Sequence, residues 1–140
     1  MANRDHLDHL AAIPLLSACS TKELQRVAKA ADEVQVDAGA TLIEPGQLAR
    51  EAFVIVSGSA EVRLDGARVA VVGPGECVGE LALLDHQPRS ATVVALEPMD
   101  LLVIPSSAFT ALLDDAPALT RKLLGTLAAR IRELDSRLTD

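Results

Sequence analysis

Apolar residues change their spacing twice along this chain, and each change marks a change of element. In residues 1–32 they come at helical intervals. Leu7, Leu10 and Ile13 are three apart, and Pro14 interrupts the run. Ser20-Thr21-Lys22-Glu23 then has the spacing of a capping box, in which the serine hydroxyl and the glutamate carboxylate each take up a backbone amide at a helix start. The helix that follows carries Leu24, Val27, Ala28 and Ala31 on one face. Helices this short need another surface to cover.

From residue 33 to 105 the period falls to two. Val34 and Val36 alternate with polar neighbours, Gly39 marks a turn before Thr41–Ile43, and Pro45-Gly46 marks another before Ala52–Val56. After Gly58 the stretch Ala60–Leu64 alternates cleanly, Asp65-Gly66 is a hairpin signal, and Val69–Val72 is the returning strand. Ala91–Leu96 and Asp100–Ile104 follow, separated by Glu97-Pro98. About eight short strands with turns this frequent predict an antiparallel barrel or double-sheet β-roll, a mainly β fold of the jelly-roll kind with helices flanking it.

Helical spacing returns from 106 to 140. Ser106 or Ser107 is placed to cap a short helix through Leu113, and Pro117 suits the first turn of a second. That second helix carries Leu124, Leu127, Ile131, Leu134 and Leu138 at alternating spacings of three and four, a short a/d seam. Such a seam either packs on the chain's own roll or closes a homodimer, and two heptads are marginal for a coiled coil without neighbouring surface.

A length of 140 residues fits one domain over 1–140 with a core that needs no disulfide or metal. Hydrophobic residues are 49% of the chain but aromatics only 1%, so the core is aliphatic. The net charge of -7 disfavours general binding to DNA, which calls for a basic face. It leaves room for an anion only at a local, pre-built site. Cys19 and Cys77 form no CxxC pair and read as thiols in a reducing compartment, while His6, His9 and His86 lack metal-site spacing. No apolar run approaches the roughly 18 residues of a membrane span. The polar N-terminus is unlike a secretory signal, so a cytoplasmic location is expected.

The strand pattern breaks between residues 73 and 95. Leu81–Leu84 is long enough for one helical turn, opened by Gly79 and Glu80 and closed by Asp85–Pro88. A glycine before such a turn lets backbone amides approach an anion, and an arginine behind a proline, here Arg89, is suited to bidentate phosphate bonds. On spacing alone, Glu80 and Arg89 fit a surface salt bridge as well as a ligand site.

The run Val78-Gly79-Glu80-Leu81-Ala82-Leu83-Leu84-Asp85-His86-Gln87-Pro88-Arg89-Ser90-Ala91-Thr92 resembles the phosphate-binding cassette of cyclic-nucleotide-binding domains, the family of the bacterial catabolite activator and the cAMP-dependent kinase regulatory subunit. Val78 stands where the family has an aromatic. Gly46 and Gly58, with the flanking helices, extend the resemblance over nearly the whole chain. The resemblance implies that Arg89 pairs with the cyclic phosphate and Glu80 accepts from the ribose 2′-hydroxyl. Backbone amides of Gly79, Ala82 and Ala91 then contact phosphate or ribose, Leu81 lies within the same segment, and Ser90 is placed to add a phosphate bond. Val62 and Leu83 match positions that line the base, and Arg132, Leu134 and Asp135 stand on the last helix, which covers the base in relatives.

The function so implied is a regulatory sensor, not an enzyme, with cAMP slightly favoured over cGMP as ligand and no cofactor. Its C-terminal helix is expected to shift on binding and act on an effector protein or a second copy. Two alternatives share the fold: a ligand-free interaction domain, and the sensor part of a transcription factor lacking its DNA-reading portion. The sequence holds no nucleophile–base pattern, and Asp85 beside His86 is adjacency without catalytic geometry.

Overall fold

The computed structural model describes residues 4–47, 50–79 and 91–139. Helix α1 (Arg4–Ala11), a 3-10 turn (Pro14–Leu16) and α2 (Thr21–Ala30) lead into eight strands. These are β1 (Asp32–Val36), β2 (Thr41–Ile43), β3 (Glu51–Ser57), β4 (Ala60–Leu64), β5 (Ala67–Val72), β6 (Cys77–Val78), β7 (Thr92–Ala95) and β8 (Met99–Pro105). Helices α3 (Ser106–Asp115) and α4 (Pro117–Thr139) follow.

The strands form two four-stranded antiparallel sheets, ordered β1-β8-β3-β6 and β2-β7-β4-β5. Side chains from both sheets meet in one cluster that includes Phe53, Ile55, Val78, Met99 and Leu101 from the first and Ile43, Ala60, Val72, Val93 and Ala95 from the second. The expected β-roll with flanking helices is therefore the observed architecture.

Strands β3 and β8 are buried on both faces. Phe53, Ile55, Met99 and Leu101 point into the roll, while Ala52, Val54, Leu102 and Ile104 point to the helices. A strand covered on both sides loses its polar alternation, which accounts for the unbroken apolar runs 52–56 and 101–104. The helical side is closed by Leu10, Leu16, Leu24, Val27, Phe109, Leu112, Leu119 and Leu123. Burying these side chains at about 25 cal/mol per Å² of apolar area is what holds the short helices on the roll.

The capping box forms in full: Glu23 N–H donates to Ser20 Oγ at 3.1 Å and Ser20 N–H donates to the Glu23 carboxylate at 3.0 Å. Ser106 and Ser107 do not cap α3. Strand β8 runs through Pro105, so the chain turns straight into the helix, with Pro105 in the N-cap position and no side-chain cap. The Ser106 amide donates instead to Arg50 O at 2.7 Å, and α3 runs on past Leu113 to Asp115.

Helix α4 packs through Leu119, Leu123 and Leu127, a stripe that among the described residues shares only Leu127 with the expected seam. Leu119 and Leu123 are buried, whereas Leu124 and Ile131 are 59% and 66% exposed. Those two seam residues therefore do not cover the roll. Leu134 and Leu138 lie outside the residues whose side chains are described. No helix among the described residues is long and apolar enough to cross a membrane, and no metal-binding group of His, Cys, Asp or Glu occurs among them.

Candidate functional site

The cassette residues connect the two sheets. Strand β6 belongs to the first, with Val78 opposite Phe53 and Cys77 opposite Val54. Strand β7 belongs to the second, between β2 and β4. The break in the strand pattern thus coincides with the passage from one sheet to the other. Glu80, Leu81, Ala82, Leu83, Arg89 and Ser90, named above from the sequence, lie outside the described residues.

Gly79, Ala91 and Val62 are described. Gly79 ends β6 with φ +87°, a left-handed backbone that an L side chain adopts only with strain. Ala91 is half-buried and leads directly into β7. Val62 stands opposite Val93 of β7 and packs, half-buried, against the cluster inside the roll. Val62 and Ala91 therefore belong to one end of neighbouring strands, and Gly79 to the edge strand of the other sheet. Val36, Ala40 and Leu42 are likewise partly exposed and pack against the same cluster, from other parts of the roll.

The turn before β6 is closely tied. Gly75 N–H donates to Ile55 O at 2.9 Å, Ile55 N–H donates to Glu76 O at 2.9 Å, and Gly73 N–H donates to the Glu76 carboxylate at 2.6 Å. The other Glu76 oxygen accepts from Arg130 of α4. The last helix thus reaches the approach to the cassette through Arg130, a residue that sequence reasoning passed over in favour of Arg132, Leu134 and Asp135. A signal was present: Arg130 follows Leu119, Leu123 and Leu127 on the packed stripe at intervals of four, four and three.

On the opposite face of β4, Glu61 is 7% exposed because two arginines cover it. Arg68 Nε donates to one carboxylate oxygen at 2.6 Å and Arg63 Nε to the other at 2.7 Å. These hydrogen bonds, Arg68 first, hold the Glu61 carboxyl below the usual range for a glutamate. Alternation along β4 places this cluster away from Val62, so Arg63 and Arg68 serve the outer surface of the sheet.

Comparison with known proteins agrees with the geometry. Residues 33–116 match the profile of the cyclic nucleotide-binding domain. The Pycsar effector protein XpPycTIR of Xanthomonas perforans is 34% identical over 82% of this chain and 38% of its own length. The crystal structure of the Thermus thermophilus catabolite activator protein superposes with a TM-score of 0.71 at 30% identity, over 90% of this chain and 62% of that one. The regulatory domain of Toxoplasma gondii PKA in its co-crystal with cAMP gives 0.67 at 31% identity, over 85% and 48%. The chain spans about a third to a half of the length of the curated relatives it matches. With a two-sheet roll, a sheet-to-sheet crossing at the cassette and a profile match through the strands, this chain belongs to the cyclic nucleotide-binding domain family.

Proposed function

We propose that this chain is a regulatory sensor that binds a cyclic nucleotide, with cAMP favoured over cGMP, and repositions helix α4 when it does. Arg89 pairs with the cyclic phosphate and Glu80 accepts from the ribose 2′-hydroxyl. Gly79, Leu81, Ala82, Ser90 and Ala91 make the surrounding contacts, and Val62 and Leu83 line the base. The observation that carries this reading is the spacing Gly79-Glu80 … Pro88-Arg89-Ser90-Ala91, set where the chain passes between the sheets. Cyclic AMP named in relatives supports the choice of ligand. The chain works by recognition without turnover, and its output goes to an effector protein or a second copy through α4.

A charge-assisted hydrogen bond contributes about 1.5–3 kcal/mol, and Arg89 is suited to make two. Arg89→Ala therefore weakens binding by roughly 10²-fold or more. Calorimetric titration of both proteins with cAMP and cGMP measures this, with cCMP and cUMP as controls for reading of the base. Equal affinities for the two proteins refute the role of Arg89. A flat titration with every nucleotide favours the ligand-free interaction domain instead. A gel-shift assay with and without ligand checks that the chain alone leaves DNA unbound.

A further inference from the structure

Lys22, Arg26 and Lys29 stand on α2 at spacings of four and three, so they share one helix face, and all three are exposed. Among the described residues, ion pairs form at His9, Arg63, Arg68 and Arg130, and none reaches these three cations. The chain has 20 Asp and Glu against 13 Lys and Arg, so this face is a local reversal of sign. Helix stability does not account for the whole stripe. Lys29 lies in the last turn of α2, where a cation complements the helix dipole, but Lys22 lies in the first turn, where it opposes it.

The stripe borders a groove between α2 and α3. The end of α3 lies by the start of α2, since the Ala118 amide donates to the Glu23 carboxylate at 2.8 Å. The groove has a volume of about 270 Å³. Arg26 and Lys29 line it from α2, and Ala108, Ala111 and Leu112 from α3, with Asp115 at the α3 end. One side is therefore cationic and the other apolar, with small side chains that let a docked segment come close.

We propose that this groove docks an acidic amphipathic segment of a partner protein, its carboxylates paired with Arg26 and Lys29 and its apolar face on Ala108, Ala111 and Leu112. Lys22 extends the cationic side by one turn. Three cations over about 10 Å of helix suit a single peptide. An anionic membrane is held by larger clusters, roughly four to eight Lys and Arg. The net charge of -7 also repels an extended polyanion from the rest of the surface. The inference goes beyond the sensor reading and does not rest on it, because the groove belongs to the helices outside the ligand-binding segment.

Fluorescence anisotropy of the full chain without nucleotide tests this. The probe is a labelled helical peptide of about 15 residues with Leu and Ala on one face and Glu on the other. The Glu peptide binds, and its affinity falls roughly tenfold as salt rises from about 50 to about 300 mM, while the same peptide with Lys for Glu stays unbound. Lys29→Glu weakens binding by roughly three- to tenfold. Lys122→Glu makes the same change of charge at an exposed position of α4 outside the groove, and alters binding less than about twofold. Ala111→Gln, a good helix former, fills the groove without changing charge and weakens binding by about threefold. Urea midpoints close to the wild type show that each variant is folded. The proposal is overturned if the Glu peptide does not bind, or if Lys29→Glu and Lys122→Glu weaken it equally, which describes overall charge alone. It is equally overturned if Ala111→Gln binds as the wild type does. Tighter binding to phosphatidylserine–phosphatidylcholine vesicles or to a DNA duplex than to the peptide also overturns it. A separate titration with cAMP and cGMP judges the sensor reading, and a flat result there leaves the peptide result standing.

Discussion

Gly58 gives a sharp test of how the roll is built. It turns the chain from β3 into β4 with φ +87°. A Cβ there would lie 2.5 Å from Pro98 O, 2.8 Å from Met99 Cγ and 3.0 Å from Met99 Cα. Neither neighbour can retreat. The Pro98 corner is pinned by Leu96 N–H donating to Ser59 O at 2.9 Å and Ser59 Oγ donating to Glu97 at 2.6 Å, and Met99 is 2% exposed inside the roll. Gly58→Ala therefore carries a left-handed backbone cost of about 1–2 kcal/mol and an overpacking cost of about 1–3 kcal/mol, together roughly 2–5 kcal/mol. At about 2.1 cal/mol/K of unfolding entropy per residue, a loss near 3 kcal/mol lowers the Tm of a chain of 140 residues by about 10 °C. Gly66 supplies the control, with φ +81° and no described atom within 4 Å of an added Cβ. Gly66→Ala meets only the backbone cost, about 1–2 kcal/mol. Urea and thermal unfolding of both variants measure the difference. If Gly58→Ala loses no more stability than Gly66→Ala, the close approach to Pro98 and Met99 has no energetic weight and the reasoning fails.

Two further outcomes rest on contacts elsewhere in the fold. The Glu23 carboxyl is held below the ordinary glutamate range by the Ser20 and Ala118 amides, and the Glu61 carboxyl by Arg68 and Arg63. A lowered folded pKa stabilises the native state above the unfolded value of about 4.3, and that contribution is lost as pH falls from there through the folded value. Urea midpoints should therefore drop in acid, and Glu23→Gln should flatten part of the drop; an unchanged pH profile would count against its double capping role. Leu124 and Ile131, exposed seven residues apart on α4, predict self-association through that helix, so Ile131→Lys should lower the mass seen by analytical ultracentrifugation. A wild-type chain that sediments as a monomer refutes this.

Residue order alone specified most of the elements, but not the short strand β6 (Cys77–Val78), which falls where the strand pattern breaks. The capping box at Ser20 and Glu23, the hairpin at Asp65-Gly66, the alternation in Ala60–Leu64 and the start of α4 at Pro117 all depend on neighbours within four residues, and the residue order specifies those neighbours. The cassette was legible for another reason: its glycine, glutamate, proline and arginine lie within one short segment, at a spacing that marks the family. Tertiary structure decided what lies across the fold. It left Leu124 and Ile131 exposed and buried Leu119 and Leu123, because the surface that α4 covers is fixed by where α3 and the N-terminal helices settle. It put Pro105 where a capping serine was expected, because β8 extends to the last residue before the helix. It gave Glu23 a second amide 95 residues away and joined Arg130 to Glu76 across 54 residues. Periodicity shows which face of an element is apolar, but only the packing of sheet against helices selects the partner of each charged group on that face.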